Sequence, residues 1–175
     1  MATNINLKSC IRDIPDFPKK GIIFKDISTL LKNNEALRQS IDEITNQFKD
    51  KKIEQVVAVE SRGFIFGAAI AYNLQAGFVP IRKKGKLPYK TKSITYELEY
   101  GKDTLEIHED ALKPGTRVLV IDDLLATGGT VKAVLDLLKG QEAKVVGVAF
   151  LVELKFLNGK AKLKDYPIYS VIQFD

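Results

Sequence analysis

The chain has 175 residues, with 27 Lys and Arg against 22 Asp and Glu, for a net charge of +5. Apolar residues make up 45% and charged residues 28%, average values for a soluble globular protein, which excludes disordered, collagen-like and disulfide-stapled chains. The length suits one domain, and no apolar stretch reaches the roughly 18 residues of a membrane helix, so no membrane association is expected.

The first twenty residues carry Lys8, Arg12, Asp13, Asp16 and two prolines, which leaves no apolar core for a secretory signal. Cys10 is the single cysteine and has no disulfide partner, so a reducing, cytoplasmic setting is expected. Residues 21–27 read by pattern as an ordinary strand or buried turn, with Phe24 a core aromatic among isoleucines. Asn34 is placed to cap a helix in which Leu37, Ile41, Ile44 and Phe48 recur at helical spacing. The apolar run 56–59 reads as a strand covered on both faces, and residues 64–74 as the helix that follows it. Residues 77–81 form a second short strand. Six basic residues then crowd into residues 82–92, where Gly85 and Pro88 interrupt any helix or strand. Polar and apolar residues alternate over 93–100 and 104–107 around Tyr100-Gly101-Lys102-Asp103, the pattern of a hairpin. Residues 117–121 form another apolar strand, a helix runs from about Thr130 to Lys139, and residues 145–152 form the next buried strand. No repeat, low-complexity segment or internal domain boundary interrupts this order. Strands alternating with helical crossovers predict a right-handed α/β sheet whose ligand lies beyond the carboxyl ends of the strands, so the loops after Val59 and Ile121 matter most.

The second of these loops carries the strongest chemical signal. Residues 118–130 read Val-Leu-Val-Ile-Asp-Asp-Leu-Leu-Ala-Thr-Gly-Gly-Thr: an apolar strand, two adjacent carboxylates, and a small-residue turn that opens a helix. Successive amides in a glycine-containing turn at a helix N-terminus form a cradle for a phosphate, to which the Thr127 and Thr130 hydroxyls add donors. Asp122 and Asp123 would repel that anion unless they serve another part of the ligand, such as the vicinal hydroxyls of a sugar. A phosphorylated sugar is therefore the economical ligand. Neither GxxxxGK[ST] nor GxGxxG occurs in the chain. A turn with no ligand explains the segment poorly, because paired carboxylates after an apolar strand are costly as mere turn residues.

These thirteen residues resemble the phosphoribosyl pyrophosphate motif of the type I phosphoribosyltransferases, in the form found in their adenine-specific members. Phe17-Pro18, residues 21–27, Glu60-Ser61-Arg62-Gly63-Phe64, residues 81–88 and Leu98-Glu99-Tyr100-Gly101 agree in order, so the resemblance extends from about Ile14 to Leu154. Glu60 departs mildly from the family's usual Asp. The resemblance implies a type I phosphoribosyltransferase fold: a central, mostly parallel sheet flanked by helices, with a flap hairpin and a small N-terminal hood over residues 1–33. It implies transfer of 5-phosphoribosyl from phosphoribosyl pyrophosphate to adenine, giving AMP and pyrophosphate, with Mg²⁺ bound mainly through substrate oxygens. A homodimer is implied too, with Arg82 reaching a neighbouring subunit's site.

Roles carry over residue by residue. Ala126, Thr127, Gly128, Gly129 and Thr130 would grip the 5-phosphate, and Asp122 and Asp123 the ribose. Ser61, Arg62, Arg82, Lys83 and Lys86 would hold pyrophosphate, with a cis peptide at Glu60-Ser61 or Ser61-Arg62. Phe24 and Leu124 would sandwich adenine while the main chain at Ile23 and Lys25 reads its edge. Glu99 would take the base's proton or steady its N7, and Tyr100 would bond the phosphate side from a flap that excludes water. His108 reads as structural. Two alternatives stay open. One is the same chemistry on another purine, although the Lys and aromatic usual in 6-oxopurine enzymes are not evident after Val148. The other is a nucleotide-responsive RNA-binding regulator on the same fold; a nucleic-acid groove would want aromatics among the basic residues, and residues 82–92 offer only Tyr89. A DNA-binding repressor would need a further domain, for which 175 residues leave no room.

Overall fold

In residues 5–97 and 101–175, the part of the chain that the computed structural model describes, chain contacts divide the protein into two units, residues 1–43 and 44–175. The first opens with a 3-10 turn, Leu7–Cys10, whose Lys8 amide is capped by the Asn6 side chain. Two four-residue strands follow, β1 (Arg12–Pro15) and β2 (Ile23–Asp26), paired antiparallel with Ile14 opposite Phe24. Ion pairs Arg12–Asp26 (2.5 Å) and Lys25–Asp13 (2.6 Å) hold the two strands in register. β2 falls within residues 21–27, which read as a strand or a buried turn, whereas the four residues of β1 offer too little alternation to be recognised in a sequence. A single helical turn, α1 (Ser28–Leu31), precedes α2 (Asn34–Phe48). The cap of α2 is Asn33, one residue earlier than expected: its Oδ1 accepts the amides of Glu35 and Ala36, both at 3.1 Å. The buried face is also displaced, to Ala36, Ser40, Ile44 and Phe48, with Leu37 and Ile41 half-buried at its margin.

The second unit holds β3 (Gln55–Val59), α3 (Gly63–Leu74), β4 (Gly77–Lys83), β5 (Thr91–Glu97), β6 (Lys102–His108), β7 (Arg117–Leu125), α4 (Gly129–Lys139), β8 (Lys144–Leu154) and β9 (Ile168–Phe174). They build one seven-stranded sheet in the order β5-β6-β4-β3-β7-β8-β9. From β4 to β9 all neighbours are parallel; β6 runs antiparallel to both β4 and β5. Val57, Val59, Val118, Val120, Val148 and Phe150 form one apolar layer with α4, whose Val131, Val134, Leu135 and Leu138 are buried. Each such side chain contributes about 1.5–3 kcal/mol relative to leaving it exposed. The alternate residues Val56, Ala58, Leu119 and Ile121 are equally buried, and α3 packs on β3 and β7.

Three departures from the expected elements bear on the site. β4 is two residues longer and takes Arg82 and Lys83 out of the basic loop. β7 continues through both carboxylates, with Asp122 paired to Phe150, because β8 also runs on to Leu154 and keeps the ladder satisfied. β9 was not foreseen. It is an edge strand in which only Ile172 is buried, so its apolar pattern is weak. β5 and β6 pair antiparallel as the hairpin pattern predicts, but Lys102 and Asp103, expected in its turn, belong to β6 opposite Glu97 and Tyr96, and residues 98–100 lie outside the described residues.

Candidate active site

β3 and β7 are neighbours at the centre of the sheet, where the chain's progress reverses: β4 and β6 extend to one side, β8 and β9 to the other. The loops that leave their carboxyl ends therefore diverge and open a crevice. On the β3 side the chain leaves Val59 through a cis Glu60-Ser61 peptide, the first of the two candidate bonds, and enters α3 at Gly63. A Cβ on Gly63 would lie 3.1 Å from both Asp122 Oδ1 and the Ile121 carbonyl oxygen, so glycine is what lets this loop lie against the carboxylate strand. Arg62 then reaches Asp123, donating from Nε to Oδ2 at 2.5 Å. Asp122 is buried, forms no ion pair among the described residues and accepts the Asp123 amide at 2.9 Å. Burial, and next the neighbouring Asp123 charge, raise its carboxyl well above the ordinary value.

Past β7, Ala126 to Thr130 wrap a hollow of about 70 Å³, more than twice a water molecule's share of about 30 Å³ in the liquid. Gly128 has φ = +76° there, and a Cβ on it would come within 2.5 Å of the Gly159 carbonyl oxygen. Left-handed backbone and close packing together require glycine at this position. The turn leads directly into α4, an eleven-residue helix, so its amides sit at a helix N-terminus with the partial positive charge an anion seeks.

Beside this hollow lies a larger cleft of about 400 Å³. Of the expected groups it brings together Ser61, Arg62, Lys83, Asp122, Asp123, Leu124 and Thr130. Arg82 and Lys86 are not among its lining. Arg82 donates from Nε and Nη2 to Glu60 at 3.1 and 3.3 Å, and from Nη1 to the Lys86 carbonyl at 3.0 Å. Burial alone would raise the Glu60 carboxyl, but Arg82 and the Lys83 amide bring it below its ordinary range. His108 also lies off the lining and packs edge-on against Tyr89, with ring centroids 6.2 Å apart. Glu99 and Tyr100 lie outside the described residues.

Beyond Val59, Glu60 and Leu105, two polar residues without an expected role line the cleft. Tyr96, on β5, approaches Thr130 with its hydroxyl 3.3 Å from Oγ1, and burial raises its phenol above the ordinary range. Asp103, directly opposite Tyr96 on β6, forms an ion pair with Lys83 at 3.2 Å. The alternating hairpin pattern was the available signal, since cross-strand partners share a face, but which face meets the site depends on β6 lying beside β4.

Ile23, Phe24 and Lys25 belong to the first unit. Phe24 is half-buried and packs edge-on to the exposed Phe17 ring at 5.2 Å, so it is not the core aromatic that pattern alone suggested. The Lys25 ammonium is paired with Asp13.

Residues 26–175 match the model of the phosphoribosyl transferase domain. A protein of Pelobacter propionicus named adenine phosphoribosyltransferase is 57% identical over 169 residues, covering 97% of this chain and 98% of that protein. The crystal structure of adenine phosphoribosyltransferase from Thermoanaerobacter pseudethanolicus superposes with a TM-score of 0.92 at 52% identity, covering 96% of this chain and 98% of the other. The Giardia lamblia enzyme complexed with 9-deazaadenine also gives a TM-score of 0.92, at 39% identity, with 97% of each chain covered.

Proposed function

The chain belongs to the phosphoribosyltransferase family, in its adenine-specific branch, and from that premise we propose how its residues carry out the purine-salvage reaction of adenine with phosphoribosyl pyrophosphate. N9 of adenine forms a bond to C1 of the ribose, the bond from C1 to pyrophosphate breaks with its electron pair leaving on oxygen, and the N9 proton is lost. AMP and pyrophosphate result. The observation that carries the assignment of roles is the meeting of Arg62, Lys83, Asp122 and Asp123 in one cleft beside the glycine turn.

In this reading the amides of residues 126–130 hold the 5-phosphate, and Asp122 and Asp123 accept from the ribose hydroxyls. Ser61, Arg62 and Lys83 receive the pyrophosphate, with Arg82 and Lys86 acting from the rim. Such fixed donors stabilise the leaving charge without reorganising as it develops. Glu99 takes or steadies the base's proton and Tyr100 bonds the phosphate side. Ile23, Phe24, Lys25 and Leu124 are the adenine-recognition residues, within a single phosphoribosyltransferase domain whose first 33 residues form the hood.

The donor set fits Mg²⁺ carried on the substrate. Glu60, Asp103, Asp122 and Asp123 line the cleft against Arg62 and Lys83, an excess of carboxylate that a bare pyrophosphate would oppose. Among the described residues no three His, Cys, Asp or Glu side chains converge to cage an ion, so substrate oxygens and water would fill most of its shell beside Asp122 and Asp123. When bound, the ion supplies charge neutralisation for the departing pyrophosphate. A cytoplasmic homodimer completes the proposal. Its support is the lone cysteine, the absence among described residues of a helix able to cross a membrane, and exposed Ile65 and Tyr72, seven residues apart on α3. Light scattering should give twice 19.5 kDa.

The direct experiment supplies adenine, phosphoribosyl pyrophosphate and Mg²⁺ and measures pyrophosphate and AMP. Both appear with adenine. Turnover of hypoxanthine or guanine in its place, with none of adenine, would overturn the base assignment. High-affinity binding of transcripts without turnover would favour the regulator, a reading the adenine-specific relatives do not support.

A further inference from the structure

Lys83 stands at the end of β4 with its ammonium 3.2 Å from Asp103 Oδ2. A carboxylate at this point needs a reason, because the cleft has to receive the most highly charged part of the substrate. The other pairs around the cleft have one. Asp123, bound to Arg62, is the candidate acceptor for ribose, and Glu60 organises the β3 loop by binding Arg82 and the Lys83 amide. Asp103 has no such second task among the described residues: its carboxylate meets Lys83 and, through Oδ1, the amide of the next residue, Thr104, at 2.8 Å. The sheet order sets the meeting. β6 lies antiparallel to β4 with Lys83 opposite Leu105, so Asp103, two residues before Leu105, stands beyond the end of β4, where the Lys83 side chain reaches.

We propose that Asp103 is an internal competitor for Lys83, an affinity-setting residue that weakens the binding of pyrophosphate and so eases its release. The proposal rests on the reading of Lys83 as a pyrophosphate group. Before pyrophosphate binds, the ammonium is satisfied by Asp103. Binding requires exchanging one anion for another, and the Asp103 charge then remains close to the bound pyrophosphate. As product leaves, the carboxylate takes the ammonium back. The Lys83 side chain is 59% exposed and that of Asp103 22%, so the pair is screened and its effect is moderate. The upper part of the range measured for such pairs corresponds to about a three- to fivefold change in affinity.

The test is the inhibition constant of pyrophosphate against phosphoribosyl pyrophosphate, at fixed Mg²⁺ and ionic strength, for the wild type, Asp103→Asn, Lys83→Met and the double variant. Asp103→Asn keeps the shape and the Oδ1 acceptor for Thr104, so folding is preserved; a melting curve checks this, and Asp103→Ala repeats the measurement without the acceptor. Pyrophosphate inhibition tightens about three- to fivefold in Asp103→Asn. Inhibition by AMP, which carries no pyrophosphate, changes less than about twofold, and in the Lys83→Met background the Asp103 substitution has no effect. Unchanged or weaker pyrophosphate inhibition in Asp103→Asn overturns the proposal, as does equal tightening with Lys83 absent. If Lys83→Met alone leaves pyrophosphate inhibition intact, it is the assignment of Lys83 that fails.

Discussion

Asp122 and Asp123 are adjacent and chemically alike, but their surroundings differ. Asp123 has the Arg62 guanidinium at 2.5 Å, whereas Asp122 is buried against the start of α3 with an amide as its partner. Ionised Asp122 is thus a cost to the free protein, borne at a position where a ribose hydroxyl or a cation would draw on the charge. The linkage sign follows from its raised carboxyl. The native state retains a proton that the unfolded chain has released, so Asp122 lowers stability progressively as pH rises above the ordinary carboxylate value of 3.8. Asp122→Asn should therefore melt at a higher temperature than the wild type at pH 8, with the difference closing towards pH 4, while kcat/KM falls by about tenfold or more for loss of a charged acceptor. Thermal melts across that range check the first part; a variant less stable at pH 8 would show that the Asp122 charge is compensated in the free protein. Both carboxylates were legible in the sequence because acids at the end of an apolar strand are conspicuous. Their unequal roles were not, since these depend on Arg62 and Gly63, some 60 positions earlier in the chain.

At the level of elements, the site is made where strand ends meet tight turns. The glycine turn before α4 is shaped by its own sequence and also from beneath, because the Gly159 carbonyl stands where a Cβ on Gly128 would go. That support comes from the 3-10 helix Gly159–Leu163, beyond the part of the chain whose motifs were recognisable. Gly128→Ala would add the strain of a left-handed alanine, about 1–2 kcal/mol, to a collision with fixed backbone. The turn must shift, and the KM for phosphoribosyl pyrophosphate should rise by about tenfold or more with a melting temperature lowered by several degrees. Steady-state kinetics decide it: an unchanged KM would mean that the turn does not bind the 5-phosphate. The same contrast explains which elements could be read in advance. β3, β7 and β8 are covered on both faces and appear as apolar runs, as does α3 after β3. β9 at the sheet edge and the four-residue β1 bury too little to leave a pattern. Strand lengths at the site were misjudged because charged residues end an apolar run before they end a strand, as with Arg82 and Lys83 in β4 and Asp122 and Asp123 in β7.

For the whole molecule, the net charge of +5 suggested an anionic ligand, and six basic residues in 82–92 suggested where it binds. The folded chain distributes that charge less simply. Arg62, Arg82 and Lys83 are each paired with a carboxylate, on Asp123, Glu60 and Asp103, and Asp122 adds another acid to the same cleft. The long-range field is positive and favours the approach of an anion, but at contact distance the cleft is at best neutral. On the proposed reading, binding depends on bringing a cation with the anion more than on the protein's net charge. Calorimetric titration of pyrophosphate at one ionic strength should show binding at least about tenfold weaker in EDTA than with Mg²⁺, a difference of about 1.4 kcal/mol or more. Raising monovalent salt from 50 to 200 mM with Mg²⁺ present should change the affinity less than removing the metal does, because pairs at 2.5 to 3.2 Å lie well inside the screening length of roughly 8 Å at physiological ionic strength. Equal affinity with and without Mg²⁺ would mean that Arg62 and Lys83 leave their carboxylates at no cost and neutralise pyrophosphate alone.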